Sequence, residues 1–190
     1  MGRRAEQQAE TRQRIVEAVV ALHREIGLAR TTVTAIAERA GVERLTVYRH
    51  FADEAALFAA CSAHFQAETG PPNPGRWAPI AEPGDRLRAA LLEFYGYYRR
   101  GEDMIANVRR DAPQIPAIAT ALAPWESFVE LVRGELTDAW GVDDRARVRV
   151  AAVTGHALRF ETWQSLARVE GLGDGEVAEL MIQLVQSASA

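Results

Sequence analysis

The chain has 190 residues, 48% of them hydrophobic, with 22 basic against 26 acidic residues and a net charge of −4. That is enough apolar content for a small domain plus a larger one, each with its own core. With no apolar run of about eighteen residues and no leader pattern, neither a membrane span nor a secretory signal is expected. The single cysteine, Cys61, cannot close an internal disulfide and fits a reducing cytoplasm.

The charge is unevenly spread. Residues 1–51 carry nine arginines against six acids, whereas residues 52–190 carry thirteen against twenty. A basic end on an acidic body would be steered toward a polyanion end-on.

In chain order, residues 1–10 are polar, lack periodicity and read as a mobile arm. Arg3 and Arg4 either reach phosphate or the minor groove, or belong to a disordered tail. From Thr11 to Ile26, the residues Ile15, Val19, Leu22 and Ile26 recur at helical spacing, and Gly27 ends the helix.

Residues 31–51 then read TTVTAIAERAGVERLTVYRHF. Thr32 is a hydroxyl cap in front of Val33 to Ala40, where Ile36, Ala37 and Ala40 form one apolar stripe. Gly41 supplies the left-handed turn that closes this helix, and a second short helix spans Glu43 to His50. Val47 and Phe51 face inward, which leaves Leu45, Thr46, Tyr48 and Arg49 on the outer arc. This is the layout of a helix-turn-helix, whose second helix enters the DNA major groove. Asp53 caps a fourth helix that runs through Leu57, Phe58, Cys61 and Phe65.

Between Gly70 and Gly84 five prolines interrupt any helix, so residues 68–84 read as a linker or as a loop folded over a second domain around Trp77. Beyond it the pattern is helical throughout: 85–100, 102–111, 116–140, 143–169 and 174–187. The last two of these carry small and apolar residues suited to close helix approach, including Ala152, Gly155 and Phe160 on one, and Val177, Leu180, Met181 and Leu184 on the other. They form a dimer interface, or they pack within one chain.

The block from Ile15 to Phe58, with IVEAVVALHREIG, TTVTAIAERAGV, TVYRHF and the Asp-capped helix behind it, resembles the amino-terminal domain of the TetR family of bacterial transcriptional regulators. The resemblance implies an all-α fold of about nine helices. A helix-turn-helix domain over residues 11–67 would be followed by a larger effector-binding and dimerisation domain over residues 85–190. It also implies a homodimer on a palindromic double-stranded operator in the cytoplasm, with a small molecule releasing the protein from DNA. The alternative is a DNA-binding regulator that needs no ligand and has a closed helical body.

Within the resemblance, Thr32, Tyr48 and His50 match positions that contact phosphate. Arg44 and Thr46, at the start of the recognition helix, are placed for base edges, with Arg49 on the same face. Two departures stand out. Leu45 occupies a position where the family usually has glycine, and either meets thymine methyls or packs back onto the domain. Glu54 replaces a phosphate-contacting lysine, so that contact is not carried over.

For the effector, the candidate lining is Tyr95, Tyr98, Met104, Trp125, Phe128, Val129, His156, Arg159 and Trp163, aromatics with a few polar anchors that equally suit a packed core. No phosphate loop, nucleophile elbow or zinc-protease motif is present, and the four histidines are scattered, so no enzyme is expected. Cys61 and His64 lie three apart on a helix, but two ligands do not make a metal site, so neither metal nor cofactor is expected.

Overall fold

The computed structural model describes residues 2–190, the side chains of residues 117 and 119 excepted. The helices are α1 (Gly2–Ile26), α2 (Val33–Ala40), α3 (Arg44–His50), α4 (Glu54–Thr69), α5 (Pro83–Asp111), α6 (Pro116–Asp138), α7 (Asp144–Ala157), α8 (Phe160–Gln164) and α9 (Asp174–Ser189). Among the described residues there is no strand. The chain forms two compact units. One holds the residues through Thr69 together with Gly101–Ala123; the other holds Gly70–Arg100 and Pro124–Ala190.

In the first unit α1 packs on α2 and α4, and α2 packs on α3. Ile15, Val19 and Leu22 of α1 are buried as their spacing requires, with Ile36, Ala37, Val47, Phe51, Leu57 and Phe65 closing the core. The expected mobile arm is instead helical, because α1 begins at Gly2. Residues 2–10 are exposed, so helix propensity in the Ala-Glu-Gln-Gln-Ala-Glu run accounts for this turn of structure, not burial.

The break expected before Glu102 is absent, since α5 is continuous through Gly101. A Cβ at Gly101 would lie 2.5 Å from Phe65 Cζ, so the glycine serves close packing and does not end the helix. The last turns of α5 thereby join the first unit, whereas the expected second domain took in all of residues 85–190. Pro124 lies inside α6, next to the point where that helix passes from one unit to the other.

In the second unit Leu87, Leu91, Phe94, Tyr95 and Tyr98 of α5, Val132 and Leu136 of α6, Val150 of α7, Phe160 and Trp163 of α8, and Val177 and Val185 of α9 are fully buried. The proline-rich stretch is a folded loop. Asn73 caps a single 3-10 turn, Pro74–Arg76, and Trp77 is buried with its ring 6.2 Å from that of Phe94. The single helix expected over 143–169 is divided. The Tyr95 hydroxyl donates to Ala157 O at 3.0 Å and the Tyr98 hydroxyl to Leu158 O at 2.5 Å. These bonds satisfy carbonyls at the end of α7 from outside the helix. The chain restarts as α8 and runs into a π-helical turn, Ser165–Val169.

Candidate nucleic-acid interface

The helix-turn-helix follows from its local chemistry. Thr32 is extended, and its hydroxyl accepts from Ala35 N at 3.2 Å, capping α2. Gly41 adopts φ 64° and ψ 40°, and its N–H together with that of Val42 closes the helix on Glu38 O and Ala37 O. Two residues later α3 starts, with Glu43 as its extended first cap. Val47 and Phe51 anchor α3 to the core, and the Arg12 guanidinium sits 4.8 Å over the Phe51 ring.

This anchoring turns one face of α3 outward. Arg44 and Arg49 are exposed, Thr46 and His50 are half-buried, Leu45 is 72% exposed and Tyr48 52% exposed. Arg49 Nη2 donates to Thr46 Oγ1 at 2.9 Å, which holds both side chains on that face. Thr32, also exposed, lies at the head of α2. The face therefore offers two guanidiniums, a phenol, a hydroxyl and a large apolar group. That is the mixture that meets guanine edges, phosphates and thymine methyls in a major groove. Leu45 does not pack back onto the domain. At the head of α4, Asp53 accepts from Ala56 N at 2.7 Å, and Glu54 is exposed in the first turn, where a carboxylate suits the helix dipole and cannot hold phosphate.

The α1–α2 connection is tied from α5, by side chains that carry no local sign of it in the sequence. Asn107 Nδ2 donates to His23 O and to Arg24 O, both at 2.8 Å, and Asp111 Oδ2 accepts from Ala29 N at 3.0 Å. The Arg110 guanidinium beside Asp111 holds that carboxyl below the usual carboxylate range, and the amides of Ala29 and Leu28 act in the same sense. His23 is itself buried, stacked on Phe58 with ring centroids 5.7 Å apart and with Nδ1 3.5 Å from Cys61 Sγ. Burial pushes its pKa down to about 4, opposed by Asp111, and pushes the Cys61 thiol up to about 12. Cys61 is thus an inert core thiol, and among the described residues no cluster of His, Cys, Asp or Glu is arranged to hold a metal.

The candidate effector residues fall into three places. Tyr95, Tyr98 and Trp163 are buried in the second unit, with their polar atoms engaged by Ala157 O, Leu158 O and Asp174 Oδ1. Trp125, Phe128 and Val129 are half-buried in the same unit; Phe128 stacks on Phe94, and Trp125 stacks on Tyr97 with centroids 5.0 Å apart. Met104 is buried in the first unit, and His156 and Arg159 are exposed. The cluster's missing members were Trp77, Phe94 and Tyr97. Trp77 Nε1 is buried without a hydrogen-bond partner.

The candidate interface residues also divide. Phe160, Val177 and Met181 are buried within the protomer, where α7 packs on α9. Gly155 is half-buried, and a Cβ there would lie 2.8 Å from Arg133 Cδ. Ala152, Leu180 and Leu184 remain exposed beside Val148, and an open cleft of about 410 Å³ on this face is lined by Ala152, His156 and Leu184 among others.

A capped, glycine-closed helix pair with an outward polar recognition face, borne by an all-helical chain, defines a helix-turn-helix protein of the DNA-binding class. Residues 15–61 match the family model described as "Bacterial regulatory proteins, tetR family". Over these residues the chain is similar to TetR-family DNA-binding domains, and its fold is that of TetR-like regulators. No curated protein sequence matches the chain. A TetR-like transcriptional regulator from Rhodococcus sp. RHA1 is similar to it at 21% identity, over 93% of each chain, with a TM-score of 0.65. NalD, the secondary repressor of the MexAB-OprM multidrug efflux pump in Pseudomonas aeruginosa, is similar at 20% identity, over 96% of each chain, with a TM-score of 0.61. The multidrug binding protein EbrR, solved with imidazole, is similar at 21% identity, over 91% of this chain and 88% of its own, with a TM-score of 0.59. No described helix is long and apolar enough to cross a membrane.

Proposed function

We propose that the chain is a sequence-specific transcriptional repressor that binds a palindromic double-stranded operator as a homodimer and is released from it by a small molecule. The observation that carries the reading is the outward face of α3, where Arg44, Leu45, Thr46, Tyr48 and Arg49 stand free of the core that Val47 and Phe51 enter. Thr32, Tyr48 and His50 hold phosphates, and Arg44 reads a base edge. The reading places the protein in the cytoplasm, with DNA and effector as its partners and binding rather than catalysis as its activity.

Seven residues of helix read few base pairs, so a two-fold partner is needed for a usable operator. The exposed Val148, Ala152, Leu180 and Leu184 on α7 and α9 are the apolar face for that partner. Release would work by differential affinity: an effector that prefers the form with the two recognition helices off one-turn spacing lowers DNA affinity by the factor by which DNA lowers its own.

A second reading has one observation in its favour. Tyr95, Tyr98, Phe94 and Trp163 are fully buried, as in a closed body that binds DNA without a ligand. Thermal stabilisation of the protein across a metabolite library separates the two, since only the responsive form is stabilised.

Selection from random duplexes with the full chain tests the main reading. The expected product is a two-fold symmetric site whose half-sites are centred about one helical turn apart, roughly 34–36 Å. A recovered pool with no enriched motif would overturn it.

A further inference from the structure

The helix-turn-helix is entered through a connection whose supports lie far away in sequence. α1 ends at Ile26, and the chain passes through Gly27, Leu28, Ala29, Arg30 and Thr31 before Thr32 caps α2. The last carbonyls of a helix have no partner within it and must find one elsewhere. Here His23 O accepts from Gly27 N at 3.2 Å and, with Arg24 O, from Asn107 Nδ2. Ile26 O accepts from Arg30 Nε at 3.0 Å and Gly27 O from Thr31 Oγ1 at 2.7 Å, so the loop is also knotted to itself.

A helix end facing solvent is commonly satisfied by water. In this chain the partner is an amide from the end of α5, and the loop's next amide, Ala29 N, goes to Asp111, which is only 3% exposed. Arg110 joins the two: its Nη1 donates to Asn107 Oδ1 at 2.6 Å and its Nε to Asp111 Oδ1 at 2.8 Å. The amide of Asn107 is thereby oriented with its oxygen toward Arg110 and its nitrogen toward α1.

Gly27 shows how closely the two parts fit. Its φ is +85°, and a Cβ there would lie 2.0 Å from Arg110 Nη2 and 2.7 Å from Asp111 Oδ2. The first atom ends a flexible side chain, but the second belongs to a buried carboxylate already committed to Ala29.

We propose that Asn107 and Asp111 are positioning residues for operator recognition, fixing from α5 the exit of α1 and the loop that sets α2 and α3. The proposal rests on the DNA-binding reading above. Ala29 is three residues from the cap of α2, and α2 packs on α3, so a shift of the loop moves the recognition face as a unit. Base contacts depend on that placement, whereas non-specific attraction to phosphate depends on charge and tolerates it. The matched domain, residues 15–61, contains neither residue, so DNA reading in this chain requires an element from beyond that segment.

The test compares the full-length wild type with Asn107→Asp and Gly27→Ala. Asn107→Asp keeps the shape and replaces the donor with a carboxylate oxygen facing two carbonyl oxygens. Gly27→Ala attacks the same junction from the loop side and retains every clamp residue. Affinity is measured at one salt concentration for a duplex selected by the wild type and for a scrambled duplex of equal composition. Both variants are expected to lose about tenfold or more on the selected duplex while staying within about twofold on the scrambled one.

A merely structural role would lower both affinities together by reducing the folded fraction, and that parallel loss overturns the proposal. So does an unchanged ratio in either variant that remains folded. The Glu68→Gln control, which removes the Arg24–Glu68 ion pair in the same unit, is expected to leave the ratio intact, and a matching loss there would also count against the clamp. If the wild type itself selects no sequence, the DNA-binding reading fails first and takes the proposal with it.

Discussion

His23 makes the stability of the DNA-binding unit depend on pH in a calculable way. Its ring is buried between Phe58 and Cys61, and burial lowers its pKa from 6.5 to about 4. Below pH 6.5 the unfolded chain takes up a proton that the folded chain refuses, so stability falls as the pH drops and stops falling once the folded form also titrates. With these two values the loss attributable to His23 is about 2 kcal/mol between pH 7.5 and pH 5, rising to about 3 kcal/mol below pH 4. Asp111 opposes the shift, and Arg110 and the loop amides hold its own pKa below the usual carboxylate range.

The perturbation is His23→Leu, which fills the site without a titrating group. Hydrogen-exchange protection of the Ile15 and Val19 amides, converted to opening free energies at several pH values, isolates this unit. Protection in the wild type should fall more steeply with acid than in the variant, and the difference in slope is the histidine's share. Equal slopes would refute the argument that His23 is held neutral by burial.

Three further outcomes are expected. Gly101→Ala should destabilise the first unit by about 1–2 kcal/mol, since overpacking against Phe65 outweighs the gain in helix propensity of about 1 kcal/mol; a raised melting temperature would contradict it. Replacing thymine by uracil at one half-site position of the selected duplex should weaken wild-type binding about fourfold, the value of one methyl group, and leave Leu45→Ala unaffected; no such position would mean that Leu45 reads no methyl. Leu184→Glu should convert the proposed dimer to a helical monomer in sizing experiments at micromolar concentration, and a persistent dimer would move the interface off the α7–α9 face.

How much of this was legible in the sequence depends on the range of the interactions involved. Thr32, Gly41, Val47 and Phe51 act on neighbours within a few residues, so the caps, the turn and the buried side of α3 can be read directly from residues 31–51. Gly101 misleads for the opposite reason. It resembles a helix stop in sequence, yet its neighbour is Phe65 on another helix. The break after Ala157 is equally hidden, because the hydroxyls that support it belong to Tyr95 and Tyr98. Those same bonds bury Tyr95 and Tyr98, whose spacing on α5 suits a pocket lining and a packed core equally. Asn107 and Asp111 gave no signal at all, since a polar residue on a helix shows nothing of a loop more than eighty positions away.

The function proposed for the outer face of α3 is to read DNA sequence. Its most direct test is the ratio of affinities for the selected and scrambled duplexes, measured at fixed salt for the wild type and for Arg44→Ala. A wild-type ratio of about a thousand or more is expected, falling by about ten- to a hundredfold when Arg44 is removed, with the scrambled affinity changing far less. A wild-type ratio near one, or a ratio indifferent to Arg44, would contradict it.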